Sequence, residues 1–463
     1  MIFTLRQLQE KCREQDMPLY TAFVDLTKAF DTVSRPTLYR VLESIGCPPL
    51  LLQLVISFHE DMKACVQYDG STSEYLDVRS GVKQGCVLAP TLFGIYFAAL
   101  LHCAFNENKD GIFIRTRSDG SLFNLSRLKS KKKTTEVLIR ELLFADDAAI
   151  TAHSNEALQR LMDSLAEACK IFSLTISVKK TEVLGQGTIT TPPEIFLNGN
   201  QLKNTERFVY LGSTITSSLS LDDEINMRIG KAATTFGKLM KRAWENEKLT
   251  TKTKVLIYQA CVVTSLLYGC ESWTLYAHQE RKLNTFHLRC LRKILGIKWQ
   301  DKVTNNEVLE KAGLQSMFTI LRKRRLRWLG HVERMDENRI PKQMLYAELT
   351  KGTRKRGRPR LRYKDVCRST LKDFNIPESS WRENVKDREG WKSEVESNAM
   401  HFENSRREFA EARRQSRKSA LQSGANVNVG NVEPHLQCSV CGRQCKAFIG
   451  LISHERHCIK SLL

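Results

Sequence analysis

The sequence predicts an α+β fold: an antiparallel sheet packed on helices, then helical segments, then a small cysteine-rich module. Three observations carry this. Two short apolar, β-prone runs bear acids, Ala22-Phe23-Val24-Asp25-Leu26 and Leu142-Leu143-Phe144-Ala145-Asp146-Asp147-Ala148-Ala149-Ile150. Apolar residues recur at helical spacing through much of the rest. Four cysteines crowd into the last part of the chain, Cys438 to Cys458.

Ile2 to Arg13 has a short helical pattern, and the Asp25 run follows as a strand. A carboxylate inside an apolar strand is costly unless paired or bound to a cation. Pro36 to Phe58 predicts two helices broken at Gly46-Cys47-Pro48-Pro49. Lys63 to Val78 predicts a hairpin turning at Asp69-Gly70. Gly81 to Pro90 is a loop whose glycines let backbone approach a ligand closely, ahead of an apolar helix at Thr91 to Leu101. Ile112 to Ile139 predicts a basic hairpin, with Arg115, Arg117, Arg127, Lys129 and Lys131 to Lys133 around Asp119-Gly120. It leads into the second acidic run, where strand, tight turn and strand place Asp146 and Asp147 at the tip. An isolated Asp-Asp is most often a plain hairpin turn. Asp25 on a neighbouring strand changes that, because three clustered carboxylates repel and divalent cations relieve the repulsion.

Ser154 to Phe172 is an amphipathic helix with Leu158, Leu161, Leu165, Ala168 and Phe172 on one face. Thr175 to Val178 and Glu182 to Leu184 are strand-like around Lys179-Lys180. Ile195 to Leu202 and Phe208 to Ile215 complete the expected sheet. Ser220-Leu221-Asp222-Asp223 caps a helix whose face runs from Ile225 to Trp244. Lys254 to Tyr268 and Gln279 to Leu295 make a three-helix set.

The chain has 463 residues, 41% of them hydrophobic, enough for several cores. Lys plus Arg total 72 against 51 Asp plus Glu, a formal charge of +21 that favours a polyanionic partner. Basic clusters occur at Arg322 to Arg327, at Lys351 to Lys364 with Gly357-Arg358-Pro359-Arg360, and at Arg406 to Lys418. Such segments bind phosphate backbones or serve as nuclear-import signals. The cysteine pattern is not a secreted disulfide framework, and no signal pattern is visible, so a reducing intracellular compartment is expected. The longest apolar run, Val87 to Leu101, falls short of the roughly 20 residues of a membrane span.

Ser419 to Gln437 reads as a linker. Beyond it Cys438, Cys441, His454 and Cys458 stand in Cys-x2-Cys-x12-His-x3-Cys spacing, that of a ββα zinc finger with Cys in the last place. Leu451 holds the core position, and Phe448 can replace the aromatic missing at Cys445. Cys445 or His457 could substitute for a ligand. So short a module needs Zn²⁺ as its staple.

Three motifs occur in one order: Phe23-Val24-Asp25-Leu26-Thr27-Lys28-Ala29-Phe30-Asp31, Gly81-Val82-Lys83-Gln84-Gly85-Cys86-Val87-Leu88-Ala89-Pro90, and Phe144-Ala145-Asp146-Asp147. Together they resemble the palm motifs of reverse transcriptases of non-LTR (LINE-type) retrotransposons. Phe208-Val209-Tyr210-Leu211-Gly212 resembles the segment joining palm to thumb in that family. The resemblance covers the first half of the chain and continues, more loosely, to about Lys364. It implies a reverse transcriptase palm over 1–215 and a thumb-like region over 216–300; the residues themselves give a basic helical region over 301–418, a linker over 419–437 and the finger over 438–458. It implies catalytic, Mg²⁺-binding Asp25, Asp146 and Asp147. Gln84 and Gly85 would lie against nucleotide or template, Phe30 under the sugar, and Lys180 near the phosphates. Partners implied are an RNA template, a DNA primer and deoxynucleoside triphosphates, with no membrane; the oligomeric state is open. The family carries a fingers region ahead of the palm, and little of it precedes Asp25, so an N-terminally truncated polymerase is expected. The alternative is a catalytically inactive, nucleic-acid-binding zinc-finger protein. Nuclear location is expected.

Overall fold

The computed structural model describes residues 1–117, 122–123, 133–187, 192–354 and 360–422. Residues 1–402 form one unit and 403–463 a second, of which 403–422 are described.

The chain opens with α1 (Ile2–Glu14), β1 (Leu19–Val24), α2 (Arg35–Ser44) and α3 (Pro49–Ser57). Ser34 caps α2 by accepting from the Thr37 N–H, and proline opens α3, where a missing N–H costs nothing. Two short ribbons follow, β2 (Lys63–Ala64) with β5 (Leu76–Asp77) and β3 (Gln67–Tyr68) with β4 (Ser71–Thr72). Asp69 and Gly70 turn with φ of 47° and 80°, both positive as a type I′ turn demands. Then come α4 (Ala89–Phe105), β6 (Ile112–Thr116), β7 (Thr135–Ile139), β8 (Glu141–Phe144), β9 (Asp147–Ala152) and α5 (Asn155–Ile171).

The next strands are β10 (Glu182–Gln186), β11 (Phe196–Leu197), β12 (Asn200–Gln201), β13 (Lys203–Asn204), β14 (Arg207–Tyr210) and β15 (Ser213–Thr216). The main sheet has the order β13-β10-β1-β9-β8, antiparallel except for the β10–β13 edge pair. Two expectations are corrected here. Residues 195–202 and 208–215 do not complete this sheet; β11–β12 and β14–β15 are separate two-stranded ribbons, and only Lys203-Asn204 joins. Thr175 to Val178 is no strand, because that stretch makes only the single bridge Leu26↔Ile176.

Both faces of the sheet are covered. Ala22, Val24, Ala148, Ile150 and Ala152 pack on Leu38, Phe93, Tyr96, Leu100, Leu158 and Leu161 of α2, α4 and α5. Leu19, Phe23, Leu142, Ala149 and Leu184 pack on Leu5, Leu8 and Cys12 of α1, with Tyr210, Ile215 and Met344. That is why the acidic strands read as continuous apolar runs rather than alternating ones.

A helical region follows: α6 (Asp222–Lys238), a π-helical turn Met240–Trp244, α7 (Thr251–Ile257), a second π-helical turn Tyr258–Val263, α8 (Thr264–Leu266) and α9 (Ala277–Ile294). Trp244 thus leaves the α-helical face expected of it, stacking on Phe236 at 4.8 Å. Beyond lie α10 (Asn305–Ala312), α11 (Met317–Glu333), α12 (Ile340–Tyr346), β16 (Glu348–Leu349), α13 (Tyr363–Asp373), α14 (Trp381–Asn384) and α15 (Arg388–Gln422). β16 pairs with β6, so the chain's later part returns to its first half.

Four basic residues of the α11 cluster, Arg322 to Arg325, are turned inward, against expectation, while Arg327 is exposed. Arg325 is 1% exposed and donates to the Thr370 hydroxyl at 2.8 Å. Arg322 pairs with Asp373 at 2.8 Å and Glu280 at 3.3 Å. Lys323 pairs with Glu396 at 2.9 Å, and Arg324 donates to the Leu267 carbonyl at 3.1 Å. The run spends its charge on holding helices together. Arg356 to Pro359, most of the basic hairpin's lysines and the whole of 438–458 lie outside the described residues. No helix among the described residues is long and apolar enough to cross a membrane.

Candidate active site

The acid hairpin is built from β8, a two-residue turn and β9. Phe144 pairs with Asp147, leaving Ala145 and Asp146 as the turn. Ala145 takes a φ of 54°, sparsely populated for a residue with a side chain, of the kind that clusters at functional sites. Asp146 therefore stands in the turn and Asp147 heads β9. β1 runs antiparallel to β9, with Val24 opposite Ala148. Asp25 leaves the sheet directly after Val24, at the end where the acid hairpin turns.

Burial raises the Asp147 carboxyl above its usual range, and the negative charges of Asp146 and then Asp25 raise it further. All three acids thus share one electrostatic neighbourhood. They do not close on one point: among the described residues no group of three or more His, Cys, Asp or Glu side chains is gathered as a metal cluster.

Asp25 is held from both sides of its peptide. Its N–H donates to the Thr181 hydroxyl at 3.3 Å, and its carbonyl accepts from the Ser177 N–H at 2.8 Å. Its Oδ2 is buried and accepts no hydrogen bond among the described residues. The Lys180 ammonium lies 3.3 Å from that oxygen, near enough for an ion pair without the alignment of a hydrogen bond. A buried carboxylate oxygen with only this partner is what a hard cation would satisfy. Lys180, 70% exposed, thus stands beside Asp25.

Gln84 and Gly85 are the central residues of a turn closed by the Cys86 N–H donating to the Lys83 carbonyl at 3.3 Å. Gly85 takes a φ of 85°, the left-handed position of a type II turn, and both residues are exposed. The other glycine of that motif does different work. A Cβ on Gly81 would sit 2.6 Å from the Asp31 carbonyl oxygen, so its close approach is to this chain's own backbone. Phe30 stacks on Phe93 at 4.3 Å, partly buried against the core.

One anchor is not legible in the sequence. Arg35 is 8% exposed, and its guanidinium donates to the carbonyls of Gly81 at 3.0 Å, His59 at 2.8 Å and Ser80 at 3.3 Å. It fixes the start of the Gly81 to Pro90 loop against α2. No spacing distinguishes such an arginine from a solvated one at a helix start. Tyr210, inside the Phe208 to Gly212 motif, is a second anchor. Its hydroxyl donates to the Leu142 carbonyl at 2.9 Å, and burial, then the charge of Asp147, push its phenol up.

Residues 2–215 match the family model described as reverse transcriptase (RNA-dependent DNA polymerase). This part of the chain is a reverse transcriptase domain. Its relatives make it one of the non-LTR retrotransposon type. The RNA-directed DNA polymerase from mobile element jockey of Drosophila funebris is 29% identical over 287 residues, 60% of this chain and 28% of that protein. The Pol polyprotein from the type-1 retrotransposable element R2 of Popillia japonica is 25% identical, over 58% of this chain and 41% of its own length. A putative transposon-derived protein of Caenorhabditis elegans is 24% identical, over 57% of this chain and 97% of its own. The chain thus spans well under half the length of the jockey and R2 proteins. Among solved structures, a telomerase from Candida tropicalis aligns with 74% of this chain and 50% of its own at a TM-score of 0.32 and 10% identity, too distant to bear on the site.

Proposed function

We propose that this chain is an RNA-directed DNA polymerase that adds deoxynucleotides to a DNA primer on an RNA template. The observation that carries the reading is the placement of Asp25, Asp146 and Asp147 at the same end of β1 and β9, where Asp147 feels the charge of the other two, in the motif order of the matched family. In the reaction, the primer 3′-hydroxyl oxygen forms a bond to the α-phosphorus and the bond to pyrophosphate breaks. Two Mg²⁺ bound among these acids would lower the pKa of that hydroxyl and neutralise the leaving group. Mg²⁺ takes one or two carboxylates and fills its other positions with water and phosphate oxygens, so the acids need not form a closed cage. Asp25 offers its buried Oδ2, which accepts no hydrogen bond among the described residues, and Asp146 stands in the turn of the neighbouring hairpin. Lys180, paired with Asp25 among the described residues and 70% exposed, can turn to nucleotide phosphates. The exposed Gln84-Gly85 turn offers backbone to a base, and Phe30, only partly buried, is within reach of a sugar laid over it.

The test is primer extension on an RNA template with Mg²⁺. Wild type is expected to extend the primer and Asp146→Ala to give no more product than a blank. Equal incorporation by both refutes the assignment. Nucleic-acid binding by an inactive wild type would instead favour a retroelement-derived binding protein.

Two further readings belong to this proposal. Cys438, Cys441, His454 and Cys458 hold Zn²⁺ in a finger that follows the polymerase, a reading supported by their spacing alone. The chain acts in the nucleus, a reading supported by its net charge of +21 and its basic segments.

A further inference from the structure

The ribbon β14–β15 lies outside the main sheet, yet it grips the two strands that flank β9. The Phe208 ring stacks on Phe23 at 4.2 Å and 10° between planes, two residues before Asp25. Tyr210 lies 5.5 Å from the same Phe23 ring. Its hydroxyl reaches the Leu142 carbonyl at 2.9 Å, in the arm of the acid hairpin that leads to Asp146. Leu142 is paired with Ala149 in the sheet, so the phenol is bonded to the ladder that joins the hairpin's two arms. In strand order, β9 with Asp147 sits between the strand held by Phe208 and the strand held by Tyr210.

The ribbon is itself fixed at its turn. Leu211 and Gly212 have φ of 48° and 74°, a two-residue connection with both positions left-handed. The Tyr268 hydroxyl donates to the Leu211 carbonyl at 2.8 Å, and Arg228 donates to the Gly212 carbonyl while lying 4.5 Å over the Tyr268 ring. Glu224, fully buried on α6, accepts from the Thr214 N–H at 2.6 Å, the Ser213 hydroxyl at 3.1 Å and Arg228 Nε at 2.9 Å. Arg6 of α1 donates to the Ser213 hydroxyl and the Thr214 carbonyl, both at 3.0 Å. A ribbon this firmly tied to α1 and α6 is a rigid reference for whatever it holds.

We infer that Tyr210 is a positioning residue: its hydroxyl sets the acid hairpin against the strand of Asp25, so that the three acids serve one ion site. The inference rests on the polymerase reading for its activity readout and stands apart from it for metal binding.

Tyr210→Phe is the test, because it keeps the ring and removes only the hydroxyl. The variant is expected to fold, with kcat lowered about 10-fold and the KM for deoxynucleotide nearly unchanged. Mn²⁺ titrated alone and followed by electron paramagnetic resonance is expected to bind about 10-fold more weakly than to wild type. Phe208→Leu should lower kcat in the same direction, and Phe208→Tyr, which keeps the stack, should restore it. A Tyr210→Phe protein with lowered Tm but wild-type kcat and Mn²⁺ affinity has lost stability alone, and the inference falls. If wild type makes no product, the polymerase reading fails while the Mn²⁺ comparison still decides the role of Tyr210. If wild type and Asp146→Ala bind Mn²⁺ equally, there is no ion site to align and the inference falls as well.

Discussion

At Asp147, burial and like-charge repulsion act on the same carboxyl group. Both raise its pKa in the folded chain above the value it has unfolded. The native state therefore binds the extra proton, and the stability this gives is present below the unfolded pKa and lost as pH rises through the folded one. Without divalent ions, wild type should lose Tm across that acidic window. Asp147→Asn should flatten the loss, a difference read by thermal melts in chelator from acid to neutral pH. Added Mg²⁺ should narrow the gap between the two proteins. The Gly81 to Pro90 motif yields a second prediction from two glycines with similar φ, 80° and 85°. Gly85→Ala meets nothing within 4 Å and costs only its strained φ, about 1 kcal/mol. Gly81→Ala adds the clash with the Asp31 backbone and should cost about 3 kcal/mol, measured by urea unfolding. Equal losses would contradict the view that Gly81 clamps the loop to the Asp25 segment.

Among the elements, α1 departs furthest from what its sequence suggests. Its helical pattern is plain, yet nothing in it says that Phe3, Leu5, Leu8, Gln9, Glu10, Lys11 and Cys12 are all buried. The polar ones bond to partners far along the chain. Glu10 accepts from the Tyr363 N–H at 2.8 Å and the Thr274 hydroxyl at 3.2 Å; Lys11 donates to the Ala347 carbonyl at 2.5 Å. Burial lifts the Glu10 carboxyl from 4.5 to about 7. The stability its protonated form lends is whole below pH 4.5 and gone once pH passes about 7. Glu10→Gln keeps an acceptor for both donors and carries no charge. Its Tm should therefore exceed that of wild type at pH 8 by more than at pH 5, with a ceiling of roughly 3 kcal/mol. A constant difference across pH would contradict a desolvated carboxylate there.

The same contrast explains what was legible. The β8–β9 hairpin, the helices α4 and α5 and the Asp69-Gly70 turn follow from local pattern, because turn chemistry and periodicity act over a few residues. The order β13-β10-β1-β9-β8 does not, since pairing Phe23 with Ala149 and Glu182 is a long-range choice. Phe208 to Ile215 is strand-like in pattern, but periodicity cannot say which edge a strand joins. The inward turn of Arg322 to Arg325 was illegible for a related reason: a charge run looks alike whether water or Asp373 and Glu280 answer it.

At the scale of the molecule, the first unit ties its beginning to its later helices through α1, β16 and α11, so the sheet that bears the acids depends on residues far beyond the matched 2–215. The net charge of +21 is consistent with a polyanionic partner, though Arg322 and Lys323 of it are paired with acids inside the chain. For the terminal module, metal analysis of the whole chain should find bound zinc, and Cys441→Ser should release it. A chain purified with zinc present that holds none would contradict the finger.

The central claim is that Asp25, Asp146 and Asp147 serve a shared ion. Fe²⁺ substituted for Mg²⁺, with ascorbate and peroxide, generates hydroxyl radicals that cut the backbone beside the bound ion. Fragments ending near residue 25 and near residues 146–147 are predicted together, and both should vanish in Asp25→Ala. Cleavage at one segment alone, or cleavage that survives Asp25→Ala at residues 146–147, would contradict the account.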